Sequence, residues 1–261
     1  RNLLPVFLLG VFSFLINYYY GFIGFHPMDN TVLYNGGYRV LNGYTPFNDY
    51  WLVTGPLLDY LNAFFFYISG INWKTFIIHS SIVNLILAIS SYYVFNDLGI
   101  KKHFSLFYSA LISLLFYPVV GTPFVDHHST FFLLIGFYLF ILGVNRKKYY
   151  YFSFIPTIFS LSFLSKQTPA AYGVIGIIFL TLILCFFNKK EFKKIIIYFL
   201  IGSLVSVVFL LLFFWFTGIN TLNFYNQYIL FASSVGNYRM VNYTFDIFGI
   251  LMEYKFIFFF I

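Results

Sequence analysis

Apolar runs long enough to cross a bilayer alternate along this chain with short polar breaks, and no strand-like alternation of period two interrupts them. A crossing needs about 20 apolar residues, and fewer than about 17 is marginal. On that criterion the pattern predicts helices over Leu3 to about Phe25, Thr75–Phe95, Phe104–Val120, Ser129–Val144, Tyr149–Ser165, Pro169–Phe187 and Ile195–Thr217. A further apolar run opens at Phe256. Two longer polar-punctuated stretches stand apart, one over residues 26–74 and one from Gly218 to about Ile250. The fold expected is all-α: a single polytopic transmembrane helix bundle over residues 1–261, with about seven complete spans and the start of an eighth. The chain opens on Arg1 and closes inside an apolar run, so it reads as a fragment of a longer protein.

Composition agrees with that pattern. Of 261 residues, 61% are hydrophobic and only 9% charged, against roughly 25% charged in a soluble domain. The lone Cys185 excludes a disulfide framework within the chain. The net charge of +7 points to topology and not to nucleic acid. Nine of the fifteen basic residues fall in three clusters between runs: Lys101-Lys102, Arg146-Lys147-Lys148, and Lys189, Lys190, Lys193 and Lys194. Loops of this kind are cytoplasmic under the positive-inside rule.

The short run Pro56–Ile71 decides the sidedness. If it crossed, all three clusters would lie opposite Arg1; lying in the interface, it leaves them on the same side as Arg1. The interfacial arrangement is therefore expected, with juxtamembrane helices in the first outer loop. Asp29, Asp49, Asp126, His127, Lys166, Gln167 and Arg239 then all fall on the other, non-cytoplasmic side. Polar groups gathered on one face of a bundle mark a site.

Each of these residues has two readings. Asp29 follows Pro27 just past the first run and suits a general base or metal ligand, or the cap of a following helix. Arg39, on a short amphipathic segment ending at Asn42-Gly43, suits a phosphate or a snorkelling position. Asp126-His127-His128 suits proton transfer or metal binding, or capping. Lys166, in the minimal break Lys166-Gln167-Thr168-Pro169, runs against the positive-inside trend, and suits an anionic ligand such as a lipid phosphate or, as the plainer alternative, a snorkelling position. No HExxH, DxD, Walker loop, dinucleotide fingerprint or nucleophile elbow is present. For a divalent cation, Mg or Mn, the candidate ligands are Asp29, Asp126 and His127.

The aspartate after the first run, the stretch GGYRVLNGYTPFNDYWLVTGPLLDYLNAFF over residues 36–65, Asp126, and Leu164-Ser165-Lys166-Gln167-Thr168 together resemble the GT-C superfamily of integral-membrane glycosyltransferases. The likeness is to its bacterial protein-mannosyltransferase and aminoarabinose-transferase group. It implies inverting transfer of a sugar from a polyprenyl-phosphate donor to an acceptor hydroxyl, in a bacterial inner membrane, on the periplasmic or exterior face. It also implies Asp29 as the catalytic carboxylate; Lys166, Arg39 and Arg239 at the donor phosphate; and Asp49, Asp126, His127 and Gln167 orienting substrate. The implied partners are a lipid-linked sugar and membrane lipids. The competing classes are a transporter or flippase for a lipid-linked sugar, which would show broken helices and repeat symmetry, and a purely structural subunit.

Overall fold

The computed structural model describes residues 3–23, 27–187, 189–241, 246–253 and 255, and of Pro27, Lys189, Lys190 and residues 239–241 the backbone only. Among the described residues the regular structure is helical. Four helices among the described residues are long and apolar enough to cross a membrane: α4 (Trp73–Asp97), α6 (Val125–Asn145), α8 (Gln167–Phe187) and α9 (Lys189–Thr217), the last qualifying over Glu191–Thr217. Shorter helices complete the bundle: α1 (Leu4–Tyr20), α2 (Pro27–Leu41), α3 (Leu57–Ser69), α5 (Lys102–Leu115) and α7 (Tyr150–Ser165). Over the described residues the architecture is an all-helical bundle of the kind a multi-pass membrane protein has.

Helix directions follow from the cross-helix contacts. α1 and α4 run antiparallel, because Asn17 bonds Ser80 and Ser81 while Asn84 reaches the Ser13 carbonyl at 2.9 Å. α4 and α6 run parallel, His79 meeting His128 at one end and Asp97 meeting Asn145 and Arg146 at the other. The chain must therefore return between them, through α5 and the 3₁₀ turn Tyr117–Val119. α6 and α7 are antiparallel (Ser129 with Ser162, Phe140 with Phe152), and α7 and α9 are parallel (Ser160 with Ser206). All three basic clusters consequently sit at one end of the bundle. The other end carries Asp126, Lys166 and Gly218, and is called the site end below.

The interior is glued by small polar residues, the usual substitute for hydrophobic drive between membrane helices. Asn84 is fully buried and donates to the backbone of both α1 and α5. Ser129 and Ser162, also fully buried, bond across α6 and α7 at 2.8 Å. Pro156 sits inside α7 and cannot donate to its hydrogen-bond ladder; one turn on, the hydroxyl groups of Ser160 and Ser206 both approach the Pro156 carbonyl.

The stretch between α1 and α4 begins and ends at the site end, where the Trp73 indole donates to the Gly21 carbonyl at 3.1 Å. Its helices α2 and α3 pack antiparallel on each other. The contact is possible because a Cβ on Gly36 would lie 2.2 Å from an Asp59 carboxylate oxygen, and one on Gly37 would lie 2.5 Å from Asn62 Cβ. At 15 and 13 residues, these helices are about 23 and 20 Å long, shorter than the roughly 30 Å hydrocarbon core.

The two polar stretches differ from the sequence expectation. The first amphipathic segment is not a separate short helix but the second half of α2, which begins at Pro27. Proline suits the first turn of a helix, so Asp29 lies within that turn and is not its N-cap. The second polar stretch is largely helical as well: α10 (Thr221–Phe224), a π-helical stretch Tyr225–Phe231, α11 (Ala232–Val241) and α12 (Ile247–Glu253).

Candidate functional site

Lys166 is the single extended residue between α7 and α8, so its backbone breaks the helix and its side chain stands at the site end. Its ammonium donates to Asp126 Oδ2 at 2.8 Å, joining the α7–α8 hairpin to the first turn of α6. Both side chains are partly exposed, 30% for Lys166 and 39% for Asp126. A half-wet pair of this kind contributes on the order of 0–1 kcal/mol and yields readily to a better anion. Ser129 of α6 reaches the Lys166 carbonyl at 3.2 Å and holds the hairpin in place.

Gln167, one residue on, donates from Nε2 to the Tyr228 carbonyl, and its Oε1 is buried without a partner. It lines the site end of a cavity of about 1100 Å³, whose walls include Phe159, Phe163, Ile175, Ile178 and Tyr228. The cavity runs between α7 and α8 and under the π-helical stretch, where the Tyr228 hydroxyl donates to the Phe163 carbonyl. π-Helical turns concentrate at functional sites.

A second cluster lies in the loop between α2 and α3. The Tyr50 hydroxyl donates to Asp59 Oδ2 at 2.7 Å, and the Arg39 guanidinium stands 5.0 Å above the Tyr50 ring. Asp59 is 1% exposed. Burial pushes its carboxyl up to about 7, against the lowering effects of the Tyr50 hydrogen bond and the Arg39 charge. Burial and the neighbouring Asp59 raise the Tyr50 phenol well above its ordinary value. The folded protein thus holds the Asp59 proton more tightly than the unfolded chain. Its contribution to stability is full below about pH 4, declines as the pH rises to about 7, and is level above that. Asp59→Asn keeps the Tyr50 hydrogen bond and removes the buried ionisation. Thermal unfolding in detergent is expected to show the variant melting several degrees above the wild type at pH 8, and level with it at pH 4.

Asp49 closes a turn, its carboxylate accepting the Thr45 amide at 2.6 Å. The same loop is tied to the second polar stretch. Asn48 bonds Gly218 and Asn220, and Gln227 accepts the Leu52 amide while donating to the Phe47 carbonyl. Phe47 holds the left-handed conformation at φ 67° inside this clasp, buried against Phe224 and Tyr228. The Gly55 amide then bonds the Ser165 carbonyl, next to Lys166.

No family model, curated protein or solved structure matches this chain. The site therefore stands on its geometry.

The predicted residues divide accordingly. Asp126 and Lys166 are joined, with Gln167 beside them. His127 is half-buried among the rings of Phe116, Tyr117 and Phe124, beside the Phe116 backbone. Arg39 faces Tyr50 and Asp59, and Asp49 serves its own turn. Asp29 is exposed and makes no hydrogen bond or ion pair with the described residues. The Arg239 side chain lies outside the described residues. Among the described residues no three His, Cys, Asp or Glu side chains converge as metal ligands.

Sequence reasoning gave no role to Tyr50, Asp59, Asn62, His79 or Tyr117. A histidine inside an apolar run is rare enough to be a signal by itself, and His79, near the start of Thr75–Phe95, carried that signal.

Proposed function

We propose that the chain is a membrane glycosyltransferase of the GT-C kind, moving a sugar from a polyprenyl-phosphate donor to an acceptor hydroxyl with inversion. In this reading α2 and α3 are juxtamembrane helices on the outer face, and the basic end of the bundle is cytoplasmic under the positive-inside rule. A bacterial inner membrane, with the site facing the periplasm or exterior, is part of the same proposal.

One observation supports it above the others. The Lys166–Asp126 pair stands one residue from Gln167, which lines the end of a long apolar cavity. A cation one residue from the lining of a greasy slot suits an amphiphile with an anionic head: the isoprenoid chain would lie along Phe159, Phe163 and Ile178, with the phosphate reaching past Gln167 to Lys166.

The chemistry then follows from charge. The Asp29 carboxylate takes the proton of the acceptor hydroxyl, and the oxygen attacks the anomeric carbon from the face opposite the phosphate. The bond from that carbon to the phosphate oxygen breaks, and the electron pair leaves with polyprenyl phosphate. Lys166, released from Asp126, neutralises the charge that develops on the leaving oxygen. Asp126 turns to the sugar hydroxyls. Arg39 holds the Tyr50 loop behind the site and adds long-range positive potential.

The test is a transfer assay with purified full-length protein and a panel of radiolabelled polyprenyl-phosphate sugars. Release of polyprenyl phosphate coupled to sugar transfer is the expected result. Binding of the lipid-linked sugar with no cleavage under any acceptor would overturn the reading in favour of a transporter. In the same assay Lys166→Met should lower kcat/KM by about 10- to 100-fold. An unchanged value would remove Lys166 from the donor site.

A further inference from the structure

Four side chains that take no part in the proposed chemistry form a continuous row through the site end. Tyr117, His128, His79 and Asn62 are each at most 1% exposed. Asn62 Nδ2 lies 3.1 Å from the Leu33 carbonyl, Asn62 Oδ1 lies 2.7 Å from His79 Nδ1, and His79 Nε2 lies 3.0 Å from His128 Nε2. His128 Nδ1 bonds the Tyr117 hydroxyl. The row links five elements: the 3₁₀ turn, α6, α4, α3 and α2.

Donor and acceptor roles follow from one end. A peptide carbonyl can only accept, so Asn62 must turn its amide nitrogen to Leu33 and its oxygen to His79. His79 then carries its proton on Nδ1, and its Nε2 is an acceptor. His128 must meet that acceptor with an Nε2–H, which leaves its Nδ1 to accept from Tyr117; the Phe124 carbonyl also faces this Nδ1, but at 3.4 Å it lies beyond ordinary N–H···O distance. With both imidazoles neutral, the two are therefore opposite tautomers. A relay would need an exit, but this row stops at a backbone carbonyl that cannot pass a proton on. What the row can do is fix distances.

The two ends matter. His128 is two residues from Asp126 on α6, and Leu33 is about one turn from Asp29 on α2. Leu33, Phe66, Phe76 and Val125 pack around the same junction, so the row is embedded in a core. The Phe65 ring stacks on His79 at 4.5 Å and closes the remaining face. We infer that the row Tyr117–His128–His79–Asn62–Leu33 is a one-way hydrogen-bond clamp that sets the spacing between Asp29 and the Asp126–Lys166 pair, with His79 and His128 as positioning residues. The catalytic consequence rests on the glycosyltransferase reading; the clamp itself does not.

The experiment has two arms. Nitrogen-15 NMR of histidine-labelled full chain in detergent micelles at pH 7 should find His79 protonated on Nδ1 and His128 on Nε2. The same tautomer in both, or a doubly protonated ring, overturns the clamp. The second arm measures transfer by Tyr117→Phe, His79→Gln and His79→Leu. Gln keeps an acceptor for His128, whereas Leu keeps neither partner. Since about 1 Å of misplacement can cost up to about 100-fold in rate, kcat should fall by about tenfold or more for His79→Leu and less for His79→Gln, with donor KM within about twofold. A change in KM alone, or an unchanged kcat in folded His79→Leu, overturns the positioning role. If His79→Leu does not fold, Tyr117→Phe decides, since it removes a single hydroxyl: it should free the His128 tautomer and lower kcat, and failure to do either overturns the inference. A wild type that transfers no sugar defeats the glycosyltransferase reading, and the tautomers still decide the clamp.

Discussion

Asp29→Asn is expected to reduce sugar transfer by about 10²- to 10⁴-fold while the protein folds as before. The size is that of losing a positioned general base, since the amide cannot take the proton of the acceptor hydroxyl. The preserved fold follows from where Asp29 stands. It is exposed in the first turn of α2, and no described residue bonds to it. Its favourable interaction with the helix dipole is worth about 0.3–1 kcal/mol, so the melting temperature should move by only a few degrees. Donor binding should persist, because the cavity and Lys166 lie on α7 and α8. The combination is what discriminates: bound donor, intact fold, no product. A folded Asp29→Asn protein with full transfer activity would remove Asp29 from the chemistry, and a protein that also loses donor binding would make Asp29 a binding residue instead.

The contrast between Asp29 and the buried groups also explains what the sequence disclosed. Apolar runs are local, so the helices could be read directly: Thr75–Phe95 became α4 (Trp73–Asp97), and Tyr149–Ser165 became α7 (Tyr150–Ser165). The run expected over Phe104–Val120 is divided, because Pro118 follows soon after and the chain tightens into the 3₁₀ turn Tyr117–Val119. Lys166 was legible because a lysine in a short break opposite the basic clusters is an anomaly of charge, visible without coordinates. Asp59 was not: nothing local distinguishes it from a helix-start carboxylate until Gly36 and Tyr50 are brought onto it. Asn62 and His79 are 17 residues apart and meet only through the turn at Gly70-Ile71-Asn72. The second polar stretch resembled a loop because its polar residues do not repeat with a helical period. Its order comes from long-range bonds, Gln227 to the backbone of Phe47 and Leu52, which no local pattern contains.

Gly55→Ala is expected to destabilise the protein by about 2–4 kcal/mol and to abolish transfer with it. Gly55 is buried against the last turn of α7, where an added Cβ would stand 1.9 Å from the Leu164 carbonyl oxygen. The obstacle is backbone, so no side-chain rotamer can relieve it. One of the two segments must retreat by more than 1 Å, a distance that follows from the ordinary carbon–oxygen contact of about 3.3 Å or more. That retreat breaks the bond from the Gly55 amide to the Ser165 carbonyl at 3.0 Å and strands both groups in a buried place. It also moves Ser165, and with it Lys166, away from Asp126. Gly236→Ala supplies the control, because nothing lies within 4 Å of its added Cβ and its backbone is helical; stability there should be unchanged or slightly raised. Thermal unfolding of both variants in the same detergent separates them. If Gly55→Ala melts with the wild type, the α2–α3 loop does not rest on α7. The second consequence would follow at once: Arg39, Tyr50 and Asp59 would no longer stand behind the Lys166 hairpin, and the site end would have to be rebuilt from Asp126 and Lys166 alone.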